Sequence, residues 1–285
     1  MMSITAHCLV KNEARFIWYS VMSVYNHVDK ILLWDTGSTD KTLEIIKEIL
    51  RQDKKKKIIF KEYEGVNASN FWSVRQDMLE ATKTDWFIVV DGDEIWWEDS
   101  IKRLVLEVSN SYKKLESIVV PSYNLVGDVY HYLPQESGRY KFRHKDGEVF
   151  GHYNLRAVNT KIPGLHSFGE HGVWGWVDEH KKMIQDRNPE NILFLDSAYI
   201  HATFLDRASE RQKEFEVSKR SKKLKYEIGI EFPADFYYPE VFFRPRPSIV
   251  SSIWGKPSSE YKLRAFIETP LRKIKRRVFP ERVGY

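Results

Sequence analysis

Asp91-Gly92-Asp93-Glu94 places three carboxylates within four residues, directly after the apolar run Trp86-Phe87-Ile88-Val89-Val90. Ionised carboxylates at the buried end of a strand are costly unless a cation compensates them. A divalent metal is the simplest compensator, and hard oxygen ligands suit Mg²⁺ or Mn²⁺. Such a metal neutralises a diphosphate and steadies the charge that develops on a leaving nucleoside diphosphate. A bare Asp-X-Asp is also ordinary strand-to-turn chemistry; its place after a buried strand favours the metal reading. Two more polar clusters follow apolar runs: Lys11-Asn12-Glu13 after residues 4–10, and Asp35-Thr36-Gly37-Ser38-Thr39-Asp40 after residues 30–34. Gly37 permits close backbone approach and Ser38 or Thr39 can cap a helix, while Asp35 can accept from a base or a ribose.

Something must bring the three clusters to one rim. Up to about residue 97 the chain alternates strand and helix: strands at 4–10, 30–34, 57–60 and 85–90, helices at 13–28, 42–50 and 71–82. Near-continuous apolar strands between helices imply a mostly parallel sheet covered on both faces. In such a sheet ligands bind beyond the carboxyl ends of the strands, where all three clusters fall. After residue 98 a helix to about 112 and a strand at 117–120 lead into tyrosine-, glycine- and histidine-rich sequence up to about 190, which reads as a mixed sheet with long loops. Residues 206–226 read as a charged helix, and 232–260 as an irregular connector rich in proline and aromatics. The expected division is 1–205, with a nucleotide-binding half (1–97) and an acceptor-binding half (98–205), followed by a helical and irregular extension (206–285).

Three segments together resemble the signatures of family 2 glycosyltransferases, in order and at typical spacing. They are Cys8-Leu9-Val10-Lys11-Asn12-Glu13, Trp34-Asp35-Thr36-Gly37-Ser38-Thr39-Asp40-Lys41-Thr42 and Val89-Val90-Asp91-Gly92-Asp93-Glu94. The resemblance is strong over residues 3–97 and weaker to about 205. It implies the GT-A fold, a Rossmann-like α/β sheet with helices on both faces. It also implies a nucleotide-sugar donor (a UDP-sugar first among them), a divalent metal and inversion at the anomeric carbon. By position, Val10, Asn12 and Glu13 line the nucleotide pocket, Asp35 reads the base, and Arg75 lies near the base or phosphates. This chain has Val74-Arg75-Gln76 where the family usually has Ala-Arg-Asn. Asp91 faces the ribose or the metal and Asp93 binds the metal. A late histidine often completes such a site, and His201 is the candidate; a packed core histidine is the alternative.

Inversion needs a carboxylate that takes the acceptor hydroxyl proton. The family's usual Glu-Asp pair is missing as such. The stretch 169–180 has glycines for loop movement and tryptophans for a sugar platform, and it offers Asp178 first, then Glu179 and Glu170. His166 and His171 lie close by as acceptor or phosphate ligands. The acceptor class stays open among glycan, lipid-linked and protein acceptors, with polysaccharide biosynthesis as one setting.

Two rivals remain. A nucleotidyltransferase would carry a glycine- and basic-rich loop after the first strand, where this chain has Lys-Asn-Glu. A non-catalytic glycan- or nucleic-acid-binding module could use the aromatics (14% of residues) and the basic tail, but the acidic rim would repel phosphates, so no nucleic acid is expected. The lone cysteine, Cys8, allows no internal disulfide, which fits a reducing compartment, and no leader or membrane-spanning run is apparent, so a cytoplasmic protein is expected. The net charge of +5 is concentrated in Lys54-Lys55-Lys56-Lys57 and in the tail from Leu271 to Phe279. The tail mixes basic and apolar residues at helical spacing, which fits a peripheral contact at the inner membrane face or a simple surface helix.

Overall fold

A computed structural model describes residues 3–110, 114–138, 140–170, 173–278 and 283–284. The first half alternates as the sequence implies: β1 (Ile4–Val10), α1 (Ile17–Val24), β2 (Lys30–Asp35), α2 (Thr42–Gln52), β3 (Ile58–Glu62), α3 (Phe71–Ala81) and β4 (Trp86–Val89). β5 (Glu94–Trp96), α4 (Glu98–Asn110), β6 (Ser117–Val126) and β7 (Asp128–Tyr132) follow. Next come β8 (Tyr140–His144), β9 (Gly147–Gly151), β10 (Tyr153–Asn159), β11 (His166–Phe168), β12 (Gly175–Val177), β13 (Ile192–Phe194) and β14 (Tyr199–His201). The chain closes with α5 (Arg211–Glu214), α6 (Arg220–Lys223), β15 (Ile230–Glu231), α7 (Ser259–Val278) and β16 (Val283–Gly284).

The main sheet runs β15-β7-β6-β10-β4-β1-β2-β3. β1 pairs in parallel with both β2 and β4, and β2 with β3. β10 joins β4 antiparallel, so the sheet is mixed beyond that strand, as the second half of the sequence implies. Every residue of β1 is buried, because the two faces are covered by different packing. Ile4, Ala6, Cys8 and Val10 cluster with Ile17, Val21, Ile45 and Ile49 of α1 and α2. Leu9, with Leu32 and Trp34, meets Val74 and Met78 of α3 instead. The expected GT-A arrangement, an α/β sheet with helices on both faces and a helical C-terminal segment, is present, with the sheet parallel from β3 to β4 and antiparallel from β4 to β15.

Two elements differ from their sequence reading. α1 begins at Ile17, because Glu13 turns inward and the chain forms a turn in which the Phe16 amide donates to the Glu13 carbonyl (3.0 Å). The charged helix expected at 206–226 is broken into the four-residue α5 and α6, with Lys219 in a left-handed conformation (φ 60°) ahead of α6. Arg207, Glu214 and Arg220 there are buried, so this segment is held by inward-facing charges rather than by helical periodicity. Residues beyond 205 share the main core: Phe232, Val241, Phe242, Val250 and Ile253 belong to the same cluster as β1 and α1. Among the described residues no helix is long and apolar enough to cross a membrane.

Candidate active site at the sheet's switch point

β2 and β3 extend from one side of β1 and β4 from the other, so the strand order reverses between β1 and β4. That is where open α/β sheets bind ligands. Lys11-Asn12-Glu13 leaves β1 at this point, and Asp91-Gly92-Asp93 leaves β4 beside it. Gly92 is required by the close approach: a Cβ there would lie 2.7 Å from Glu13 Cγ and 3.0 Å from Val10 Cγ1.

The first two clusters are tied into one wall. Asn12 adopts φ 52°, a left-handed conformation that asparagine tolerates. Its amide donates to Ser38 Oγ (2.8 Å), its Oδ1 accepts from the Thr39 amide (2.8 Å), and the Glu13 amide donates to Thr42 Oγ1 (2.8 Å). Asp35 is buried under its own turn. Its Oδ1 accepts from the Gly37 and Ser38 amides (2.8 and 2.7 Å) and its Oδ2 from Ser38 Oγ (2.5 Å). A carboxylate has about four acceptor sites, so one remains for a ligand N–H.

Arginines compensate Asp91 and Asp93 at the rim without a metal, whereas burial outweighs the arginines at Glu13, pushed up to about 8, and at Glu94, pushed well above the usual range. For the two aspartates this corrects the premise drawn from sequence that only a divalent cation could compensate. Asp91 Oδ1 accepts from Arg75 Nη2 (2.9 Å), with Arg156 Nη2 3.7 Å from Oδ2. Asp93, 1% exposed, accepts from Arg207 Nη1 at 2.6 Å. Glu94 pairs with Arg156, and Glu13 with Arg220 and, at 3.3 Å, with Arg207. Burial pushes the carboxyls of Asp91 and Asp93 up, but the arginines outweigh it: Arg75 and Arg156 hold Asp91 below the usual range, and Arg207, with His201, holds Asp93 well below it.

β14 explains His201. It pairs antiparallel with β5, which sets His201 opposite Glu94. Its Nε2 then lies 3.4 Å from Asp93 Oδ2 and 3.9 Å from Glu94 Oε1. Burial lowers the His201 pKa, against the opposing pull of Asp93, so the ring is neutral near pH 7 and able to coordinate. Among the described residues no three His, Cys, Asp or Glu side chains converge into a protein-only metal cage. Asp93 and His201 do supply two donors of suitable chemistry, and Mg²⁺-like ions commonly take one or two protein ligands plus substrate phosphates and water.

Arg75 projects from α3 and is 3% exposed. Its guanidinium stacks 5.4 Å from the Phe71 ring and 5.2 Å from the Trp174 ring, and its Nε and Nη1 have no hydrogen-bond partner. Two buried, unmet donors on a fixed cation suit an anionic ligand.

Trp174 reaches Arg75 from the tip of the β11–β12 hairpin, and Glu170, exposed, sits at the same tip, its carbonyl accepting from the Val173 amide (3.0 Å). Asp178 and Glu179 lie beyond the other end of β12, Asp178 roughly 13 Å along the strand from Trp174. Asp178 does not present a free carboxylate. It is 2% exposed, its Oδ1 accepts from the His180 and Lys182 amides (2.9 and 3.0 Å), and its Oδ2 is paired with Arg187. These contacts outweigh the upward push of burial and hold its pKa below the usual range. Glu179 is exposed beside His180 (3.7 Å). His166 Nδ1 bonds the Gly164 carbonyl (2.7 Å), and His171 lies outside the described residues.

Sequence reasoning missed Arg156, Arg207 and Arg220. Arg220 donates to the Lys11 and Asn12 carbonyls (2.7 and 2.5 Å) as well as pairing with Glu13. The only available signal was the unpaired charge of the acidic clusters, which asks for cations without saying where they come from.

No curated protein matches this chain. Several solved structures align with it at low identity. S. aureus TarS 1-349 aligns at 14% identity over 78% of this chain and 71% of that one (TM-score 0.45). Against full TarS the alignment spans 36% of that protein. Glucosyl-3-phosphoglycerate synthase from Mycobacterium tuberculosis, solved with Mn²⁺, uridine diphosphate and glucosyl-3-phosphoglycerate, aligns at 16% over 70% of this chain and 72% of that one (TM-score 0.43). A putative glucose-1-phosphate thymidylyltransferase from Bacillus anthracis aligns at 12% over 56% and 72% (TM-score 0.40). The decisive match is by sequence family: residues 8–167 match the family described as Glycosyl transferase family 2, a span of more than half the chain that holds all three clusters of the crevice, and the chain therefore belongs to that family of glycosyltransferases.

Proposed function

We propose that the chain moves a sugar from a nucleoside-diphosphate sugar, UDP-linked first among the candidates, to an acceptor hydroxyl with inversion at the anomeric carbon. The observation that carries this reading is Arg75: a buried guanidinium at the switch point, packed against two rings that also touch each other, with two donors unmet.

In this reading the wall built by Val10, Asn12, Glu13 and the Asp35 turn receives the nucleoside, and Asp35 keeps one acceptor site for a base N–H. Arg75 donates to the ribose or the diphosphate, and Asp91 orients it. Asp93 and His201 would hold Mn²⁺ or Mg²⁺, which when bound offsets charge on the diphosphate. The acceptor oxygen attacks the anomeric carbon as its bond to the diphosphate oxygen breaks, and the electron pair leaves with the diphosphate. A hairpin carboxylate takes the hydroxyl proton. With Asp178 engaged elsewhere, Glu170 is the base we assign, being exposed at the tip that carries Trp174.

The test is release of nucleoside diphosphate from a panel of UDP-, GDP-, CDP- and dTDP-sugars, with Mn²⁺ and with chelator, in the presence of glycan, lipid-linked and peptide acceptors. Turnover of one donor supports the reading. Absence of both turnover and donor binding across the panel removes it.

A further inference from the structure

We propose that α7 seats the protein on an anionic lipid surface. This goes beyond the transfer reaction and does not depend on it.

α7 is docked along one face only. Ala265 and Thr269 are buried, Thr269 Oγ1 accepts from the Ile228 amide (2.8 Å), Tyr261 Oη donates to the Glu227 carbonyl (3.0 Å), and Arg276 pairs with Glu227. The opposite face is apolar and open. Leu263, Phe266, Ile267, Leu271, Ile274 and Val278 are each between 57% and 71% exposed. At about 100° per residue these six fall within an arc of roughly 140°, centred roughly 150° from the Ala265–Thr269 face. Burial in the protein therefore accounts for one side of the helix, and the stripe on the other side, about 22 Å long, is left to water. Soluble proteins rarely leave so continuous a stripe uncovered without a partner.

The flanking charges select the partner. Lys262 and Lys273 border the stripe on one side and Arg264 and Lys275 on the other, all exposed, with the exposed Arg277 inside its arc near the C-terminal end. Glu268, the acidic residue nearest the middle of the helix, is half-buried and tied to Arg264 and Arg272 (3.0 and 2.8 Å). A second copy of the chain would bring the same cations against these, so self-association across the stripe is opposed by like charge. A negatively charged interface satisfies both features: the apolar side chains enter the acyl boundary while the lysines and arginines meet headgroup phosphates. Tyr261 and Arg15, the latter two residues after Glu13, line one cavity of about 320 Å³.

Sedimentation of the full chain with vesicles tests this. It should pellet with phosphatidylcholine vesicles that contain phosphatidylglycerol and stay in solution with phosphatidylcholine alone. Association should fall steeply with salt. Phe266→Asp/Leu271→Asp should weaken it at least about tenfold, since both apolar contacts are lost. Lys273→Glu/Lys275→Glu should weaken it about tenfold or more while leaving the apolar stripe intact. All four positions are exposed, so the thermal midpoint should stay at the wild-type value. No preference for phosphatidylglycerol, or equal association by the aspartate variant, overturns the proposal. So does a wild-type dimer that the aspartate variant converts to monomer, which would make the stripe a contact between copies.

Discussion

Arg207 Nη1 stands 2.6 Å from Asp93 Oδ2, a contact between residues 114 positions apart. Through it the segment after β14 closes on the acidic rim at the end of β4. The same guanidinium lies 3.3 Å from Glu13 Oε1 at the end of β1. One cation thus ties the two strand ends that form the switch point. Removing it leaves buried carboxylates undercompensated. Arg207→Met is expected to lower stability by about 3 kcal/mol, read as the urea midpoint of unfolding. A shift below about 0.5 kcal/mol would show that the contact is not structural.

Asp178 and Glu170 are expected to separate structure from chemistry. Asp178→Asn weakens the Arg187 pair and the loop it anchors, at a cost of about 1–3 kcal/mol of stability, with turnover per folded molecule largely kept. Glu170→Gln should leave the urea midpoint unchanged and reduce kcat by about a hundredfold or more, with donor affinity kept. The reverse pattern would return the base to Asp178.

The surroundings of Asp178 were not legible in the sequence. A carboxylate in a glycine- and tryptophan-rich loop looks available for chemistry. Nothing local reveals that the chain turns back so that two amides and Arg187 meet it. By contrast, the β1–α1–β2–α2–β3–α3–β4 order was legible because continuous apolar strands and amphipathic helices are local patterns. So was the convergence of Lys11-Asn12-Glu13, the Asp35 turn and Asp91-Gly92-Asp93, which follows from strand ends in a parallel sheet. Arg156, Arg207 and Arg220 were not legible, since their partners lie 62, 114 and 207 residues away. The broken helix at 206–226 failed for the same reason: long-range ion pairs overrode a charged sequence of helical character.

His152 gives the fold a pH dependence. Burial lowers its pKa from 6.5 to about 3, and the neutral ring is bonded to Asn124 Nδ2 (2.8 Å) and Ser137 Oγ (2.9 Å). The folded value lies below the unfolded one, so the unfolded chain takes up the proton first. The contribution to stability is complete above about pH 6.5 and is lost as pH falls from there toward 3. Urea midpoints should decline over that window, and His152→Gln should make the decline shallower. An unchanged slope would mean that His152 is protonated in the folded state.

Asp93 and His201 are expected to take Mn²⁺ together with a nucleoside diphosphate. The free Mn²⁺ signal in electron paramagnetic resonance reports this without turnover. His201→Ala should weaken Mn²⁺ binding in the presence of UDP by about tenfold or more. Equal binding by the variant would leave His201 as a packed histidine.

The account rests on the crevice beside Arg75 receiving the diphosphate of the donor. Calorimetric titration of wild type and Arg75→Met with UDP, GDP, CDP and dTDP measures this most directly. The account predicts that wild type binds at least one of the four and that the variant, still folded by its thermal midpoint, binds it at least about tenfold more weakly. Equal affinity in the folded variant, or no binding of any of the four by wild type, would contradict it.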